Sequence, residues 1–164
     1  MSRWRPRLQK AKPYITAEGY RRLEAEYREL WRRRDIVVRH LAAAAAEGDR
    51  SENAEYQYRK KELREIDRRV RYLKQRTVEL KIIDSTPSDH SKVFFGARVT
   101  LVISAGLEST YRIVGSDEAN PNRGDISLDS PMAQSLLGCS LGDAVELPGE
   151  TETGQAEIVS IEYE

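Results

Sequence analysis

The feature that most constrains this chain is a pair of apolar seams in heptad register. In the first, Tyr20, Leu23, Tyr27, Leu30, Arg34, Val37, Leu41 and Ala44 alternate three- and four-residue spacings, and only Arg34 breaks the apolar rule. In the second, Tyr56, Arg59, Leu63, Ile66, Val70, Leu73, Thr77 and Leu80 keep the same alternation. Residues so spaced form one stripe along a helix, narrower than the face a three- or four-helix bundle requires. A short Gly-containing turn joins the two segments, so the pattern predicts an antiparallel coiled-coil hairpin over residues 16–84. Thr16 reads as the N-cap of the first helix, with Glu18 in an acidic first turn. From Thr16 to Glu47 that helix would run ~45 Å at about 1.5 Å per residue. The alanines 42–46 would keep the hairpin slender near its turn; plain helix propensity explains them equally well.

After the second seam the period changes. Residues 85–92 (Ser-Thr-Pro-Ser-Asp-His-Ser-Lys) have the composition of a linker. Five strands are then expected: Phe94–Ile103, Thr110–Val114, Asp125–Leu128, Asp143–Leu147 and Glu157–Tyr163. Between the third and fourth, Ser130, Pro131 and Gly138 supply the cap, the first helical position and the stop of one short helix. The fold class is therefore α+β, a helical hairpin followed by a small sheet-and-helix domain over residues 93–164. Residues 1–15 carry five basic side chains and two prolines, and are expected to form a mobile basic arm.

Charge separates the same two regions. Residues 1–89 hold 23 Lys and Arg against 15 acids, net +8, whereas residues 90–164 hold 4 against 12, net −8. A basic first region suits nucleic acid, and an acidic second one does not. The one cysteine, Cys139, allows no intramolecular disulfide and fits a reducing cytoplasm. No secretory signal is recognisable, and the longest apolar run, Leu41–Ala46, is too short to span a bilayer. The hairpin can satisfy its own seam, so a monomer is expected. His40 lies off the seam and His90 in the linker, and neither is in a catalytic arrangement.

Acidic side chains cluster at the turn, residues 47–55, where Asp49 and Glu52 stand three apart with Glu47 and Glu55 nearby. Two readings stay open. Asp49-x-x-Glu52 fits a capping box on the second helix, and acids there favour the helix dipole. The same carboxylates could instead supply part of a Mg²⁺ site, too few to hold the ion alone but enough to complete one delivered by another protein. Behind the turn, Lys60, Lys61, Arg64 and Arg68 form a basic stripe at helical spacing. It suits a single-stranded backbone, or it is a solvated face neutralised by Glu62, Glu65 and Asp67.

The run Gly48-Asp49-Arg50-Ser51-Glu52-Asn53-Ala54-Glu55-Tyr56-Gln57-Tyr58 resembles the bacterial transcript cleavage factors of the Gre family, the GreB type in particular. So do Leu63–Leu73, Val93–Ala97, Tyr111–Gly115, Asp129–Ala133 and Ile161–Tyr163, in one order from about Ile15 to Glu164. The resemblance implies a coiled-coil hairpin and a C-terminal domain of FKBP-like fold, with no prolyl isomerase activity expected. It implies docking of that domain, through Asp129, Ser130 and Pro131, on the rim of the RNA polymerase secondary channel. The hairpin would pass down the channel, where Asp49 and Glu52 help bind a second Mg²⁺ and orient water. The polymerase would then cut backtracked nascent RNA, whose 3′ end meets Lys60, Lys61 and Arg64. Such a factor lacks a complete active site of its own and works in the cytoplasm. Three departures from the family pattern stand out: Arg32–Ile36 lacks a proline, the stretch Trp31–Gly48 is one residue short, and Glu62 replaces a basic residue. The rivals are a non-cleaving regulator of the same channel and a coiled-coil adaptor or chaperone.

Overall fold

The computed structural model describes residues 11–46, 54–103, 106–148 and 154–163. Two compact units divide them. One comprises the chain up to Gly19 together with everything from Lys81 onward; the other is Tyr20–Leu80.

The Tyr20–Leu80 unit consists of two helices. Helix α1 runs Ala17–Ala46 and α2 runs Ala54–Glu79. None of the heptad positions named above is exposed, while most residues between them are. Val37, Ile66 and Val70 are buried in one cluster, flanked by Tyr27, Leu30 and Leu63 from the same seam. Ion pairs fix the helix directions: Glu26 meets Arg69, Arg34 meets Asp67 and Arg33 meets Glu62. From Glu26 to Arg33 and Arg34 the partners fall from Arg69 to Glu62 and Asp67, so the pair is antiparallel, as the seam predicts. Arg34, the polar residue in the seam, donates from Nε to Asp67 at 2.7 Å and lies 5.5 Å from the Trp31 ring centroid. A half-buried polar position thus keeps a partner and need not break the seam.

The other unit is built on a five-stranded sheet. Its strands are β3 (Arg98–Ile103), β4 (Glu108–Val114), β5 (Asp125–Ser127), β6 (Ala144–Glu146) and β7 (Gln155–Glu162), in spatial order β5-β4-β3-β7-β6. Only β4 and β5 run parallel. A register shift between Thr100 and Leu101 marks a bulge against β7, which increases local twist. Helix α3 (Pro131–Leu136) covers the core formed by Val99, Leu101, Ile113, Ala133, Leu136 and Ile158, among others.

The sequence expectation matches in order and type, with three differences. β3 begins at Arg98 and not Phe94, because Gly96 at φ 88° forms a turn closed by Ala97 N donating to Phe94 O. A 3-10 turn, Pro121–Arg123, precedes β5. Tyr14 and Ile15, expected in a mobile arm, belong to a strand. Here β1 (Tyr14–Thr16) pairs in parallel with β2 (Lys81–Ile83), and Ile15 is fully buried. The segment 85–92 has no regular structure up to its last residue, Lys92, which bridges to Ser140.

Candidate nucleic-acid and docking sites

The turn between the helices, with Asp49 and Glu52, lies outside the described residues, as do Glu47 and the capping box expected there. Glu55 opens the described part of α2 and is exposed. Among the described residues, no three His, Cys, Asp or Glu side chains come together as a metal site.

Behind the turn, α2 presents Lys61, Arg64, Arg68 and Arg71 as exposed side chains, with Lys60 half-buried. Lys60 Nζ sits 5.9 Å from the Tyr56 ring centroid. The structure decides what the acids of α2 do. Glu62 accepts from Arg33 Nε at 2.9 Å and from Arg59 Nη1 at 3.2 Å. Asp67 accepts from Arg34. Both acids therefore serve the seam and leave the outer stripe un-neutralised. Lys61, Arg64, Arg68 and Arg71 make no ion pair with any described residue. Glu65 is the one acid left flanking the row.

Glu62 thus has a structural task. Its hydrogen bond from Arg33 comes first, and the contact with Arg59 adds to it; together they hold its carboxyl below the usual carboxylate range. The same bond raises the Arg33 guanidinium above its ordinary value. Arg59 is drawn into this network, 3.6 Å from Glu55, with its Nε buried and without a hydrogen-bond partner. Sequence reasoning placed Arg59 in the seam but missed that charges beside the seam lock the two helices. The signal was available: oppositely charged residues flank an antiparallel seam on both helices.

In the sheet unit, Asp129, Ser130 and Pro131 form the entry to α3. Ser130 Oγ accepts from Ala133 N at 3.1 Å, and Pro131 takes the first helical position, both as expected. Gln134 Nε2 donates to Leu128 O and ties the helix back to the loop. Asp129 is partly engaged: Oδ2 accepts from Lys12 N at 3.0 Å and from Ser116 Oγ at 2.9 Å. Lys12, assigned from sequence to the arm, is therefore fastened beside the loop that enters α3.

A second cluster joins the expected Thr16 cap to a partner that had no sequence signal. Thr16 caps α1, its Oγ1 accepting from Gly19 N at 3.0 Å. That hydroxyl in turn donates to Glu118 Oε2 at 2.6 Å, while Glu118 Oε1 accepts from Thr16 N and Gly115 N. The partners are 102 residues apart. A Cβ on Gly19 would overlap the Glu118 carboxylate, and one on Gly115 would overlap the Tyr14 carbonyl.

Of the other candidates, Cys139 donates to Ser135 O, and burial pushes its thiol up. His90 packs at a tilt against Tyr163, whose hydroxyl donates to Lys92 O and accepts from Phe94 N. His40 is exposed. No described helix is long and apolar enough to cross a membrane.

Residues 13–82 match the family described as "Transcription elongation factor, N-terminal", and residues 88–163 match "Transcription elongation factor, GreA/GreB, C-term". The chain is 54% identical to transcription elongation factor GreB of Xanthomonas axonopodis pv. citri (strain 306), covering 99% of this chain and 98% of the relative. It is 49% identical to GreB of Pseudomonas aeruginosa, with the same coverage. A solved structure of the transcription factor Gfh1 is 23% identical and covers 93% of this chain and 99% of its own, at a TM-score of 0.46. With both units matched and GreB relatives aligned end to end, the chain belongs to the GreA/GreB family of transcription elongation factors.

Proposed function

We propose that this protein binds RNA polymerase and makes it cut its own backtracked transcript. The sheet unit docks on the rim of the secondary channel through the loop Asp129–Ser130–Pro131, which is braced by the Ser130 cap on Ala133, the Gln134 bond to Leu128 O and Lys12 N on the Asp129 carboxylate. The α1–α2 hairpin enters the channel. Lys60, Lys61 and Arg64 then lie along the extruded RNA and offset its phosphate charge. Asp49 and Glu52 bring two carboxylates to the polymerase's catalytic centre. A second Mg²⁺ held there would activate water and stabilise charge on the scissile phosphate. Two carboxylates are too few oxygens for Mg²⁺ by themselves, so the ion is shared and the protein is not an enzyme alone.

The observation that carries this reading is a family member that keeps Asp49 and Glu52 between its two helices, ahead of an un-neutralised basic face. The test is a halted, backtracked elongation complex with Mg²⁺. Wild-type protein should yield shortened RNA that re-extends on adding nucleotides. Asn also caps helices well, so Asp49→Asn should keep the fold and lose ~10²-fold or more in cleavage rate. Normal cleavage by Asp49→Asn would end the shared-metal reading. Polymerase binding without any cleavage by the wild type would favour the non-cleaving regulator.

A further inference from the structure

We propose that Tyr58 is a stacking platform for a base of the extruded RNA, working with the cationic row Lys61, Arg64 and Arg68. The inference deepens the function proposed above and rests on it.

Tyr58 is 61% exposed, the most exposed aromatic ring among the described residues. It lies outside the seam, so no interhelix packing explains it, and tyrosine is an indifferent helix former at an exposed position. Its ring is flanked by Arg59, whose Cζ lies 5.6 Å from the centroid. Arg59 is itself tied to Glu55 and Glu62, so the ring has a neighbour of fixed position. From Tyr58 the steps to Lys61, Arg64 and Arg68 are three, three and four residues, which places them in sequence along one side of α2. All four are exposed, and the three cations make no ion pair with any described residue. Of the acids on the same stretch of α2, Glu62 and Asp67 are engaged with Arg33 and Arg34, which leaves Glu65 alone against the three cations.

An exposed ring followed by a row of unpaired cations is the arrangement single-stranded nucleic acid requires. A π-face accepts any base, and the cations track the phosphates. Duplex nucleic acid would gain nothing from the ring, because its bases are already stacked. Tyr58 is therefore a binding residue and takes no part in the chemical step.

The test uses full-length protein and elongation complexes backtracked either by a dinucleotide or by on the order of ten nucleotides. Half-saturating factor concentration and maximal cleavage rate are read separately. Tyr58→Ala should raise the half-saturating concentration about tenfold on the long extrusion, leaving the maximal rate near wild type. Tyr58→Phe and Tyr58→Trp should behave as wild type, and Tyr58→Leu, which keeps apolar bulk, should behave as Ala. A photocrosslink from thiouridine in the extruded segment to the hairpin should weaken in step. Wild-type saturation by both Ala and Leu variants, in a preparation where wild type cleaves, would overturn the platform and leave the proposed function standing. Failure of the wild type itself to promote cleavage would overturn both.

Discussion

Glu118 is one buried side chain that fastens two distant parts of the chain. Its carboxylate accepts three hydrogen bonds, two from Thr16 and one from Gly115. Removing it would leave buried donors without partners, which costs more than the bonds themselves contribute. Glu118→Ala should therefore destabilise the protein by about 3 kcal/mol, seen as a lower denaturation midpoint in urea. Gly19→Ala tests the same joint from the other side. Alanine normally favours a helix over glycine by about 1 kcal/mol, but here its Cβ would overlap the Glu118 carboxylate. The expected result is a lower melting temperature, and a higher one would show that the carboxylate can yield. Neither effect was legible in the sequence. Thr16 reads as a cap from its neighbours alone, but nothing local announces a partner 102 residues away.

The two helices were the most legible elements, because a heptad seam repeats a physical requirement many times over. What the seam does not specify is how the flanking charges are shared. Glu62, Asp67 and Glu26 pair across the hairpin with Arg33, Arg34 and Arg69. Assigning Glu62 and Asp67 to neighbours on their own helix was the natural sequence reading, since i, i+4 pairs are visible in one segment and cross-helix pairs need the register. Glu62 gives this element a pH signature. Its folded pKa lies below the ordinary value of 4.5, so its contribution is present above that value and lost as pH falls through the lowered one. Melting followed by circular dichroism should show Glu62→Gln less stable than wild type at pH 7 by about 3 °C. The difference should narrow steadily as pH is taken below 4.5. A gap that does not narrow at all would mean that shape and not charge is what Gln lacks. Exchanging the pair, Arg33→Glu with Glu62→Arg, should recover only part of the loss that either change causes alone, because Arg59 then faces a like charge.

At the scale of the molecule, charge is partitioned between the two regions, with a net of +8 before residue 90 and −8 after it. Under the proposed function the basic part meets RNA and the acidic part meets protein. Replacing Lys61, Arg64 and Arg68 together by Gln should flatten the salt dependence of half-saturation on long extruded RNA by about two units of logarithmic slope. Equal replacements on the sheet unit should leave that slope unchanged. The sheet's strands and short helix were legible from alternation, turn residues and the Ser130–Pro131 cap. β1 and β2 were not. Each is three residues long and buries little on its own, and they pair only because the intervening chain returns beside its starting point.

That return has a consequence for how such a protein can vary. With Tyr14–Thr16 lying against Lys81–Ile83, everything between them leaves the sheet unit and re-enters it at neighbouring backbone positions. Topologically the hairpin is an excursion with closed ends, and its length is a quantity the rest of the chain does not register. Cutting seven residues from each helix would remove two whole turns from both and keep the seam in phase. Each helix would shorten by about 10 Å while β1 and β2 stayed as they are. Under the proposed function the hairpin is then a gauge of depth, and a trimmed protein should still bind polymerase but fall short of the transcript's end.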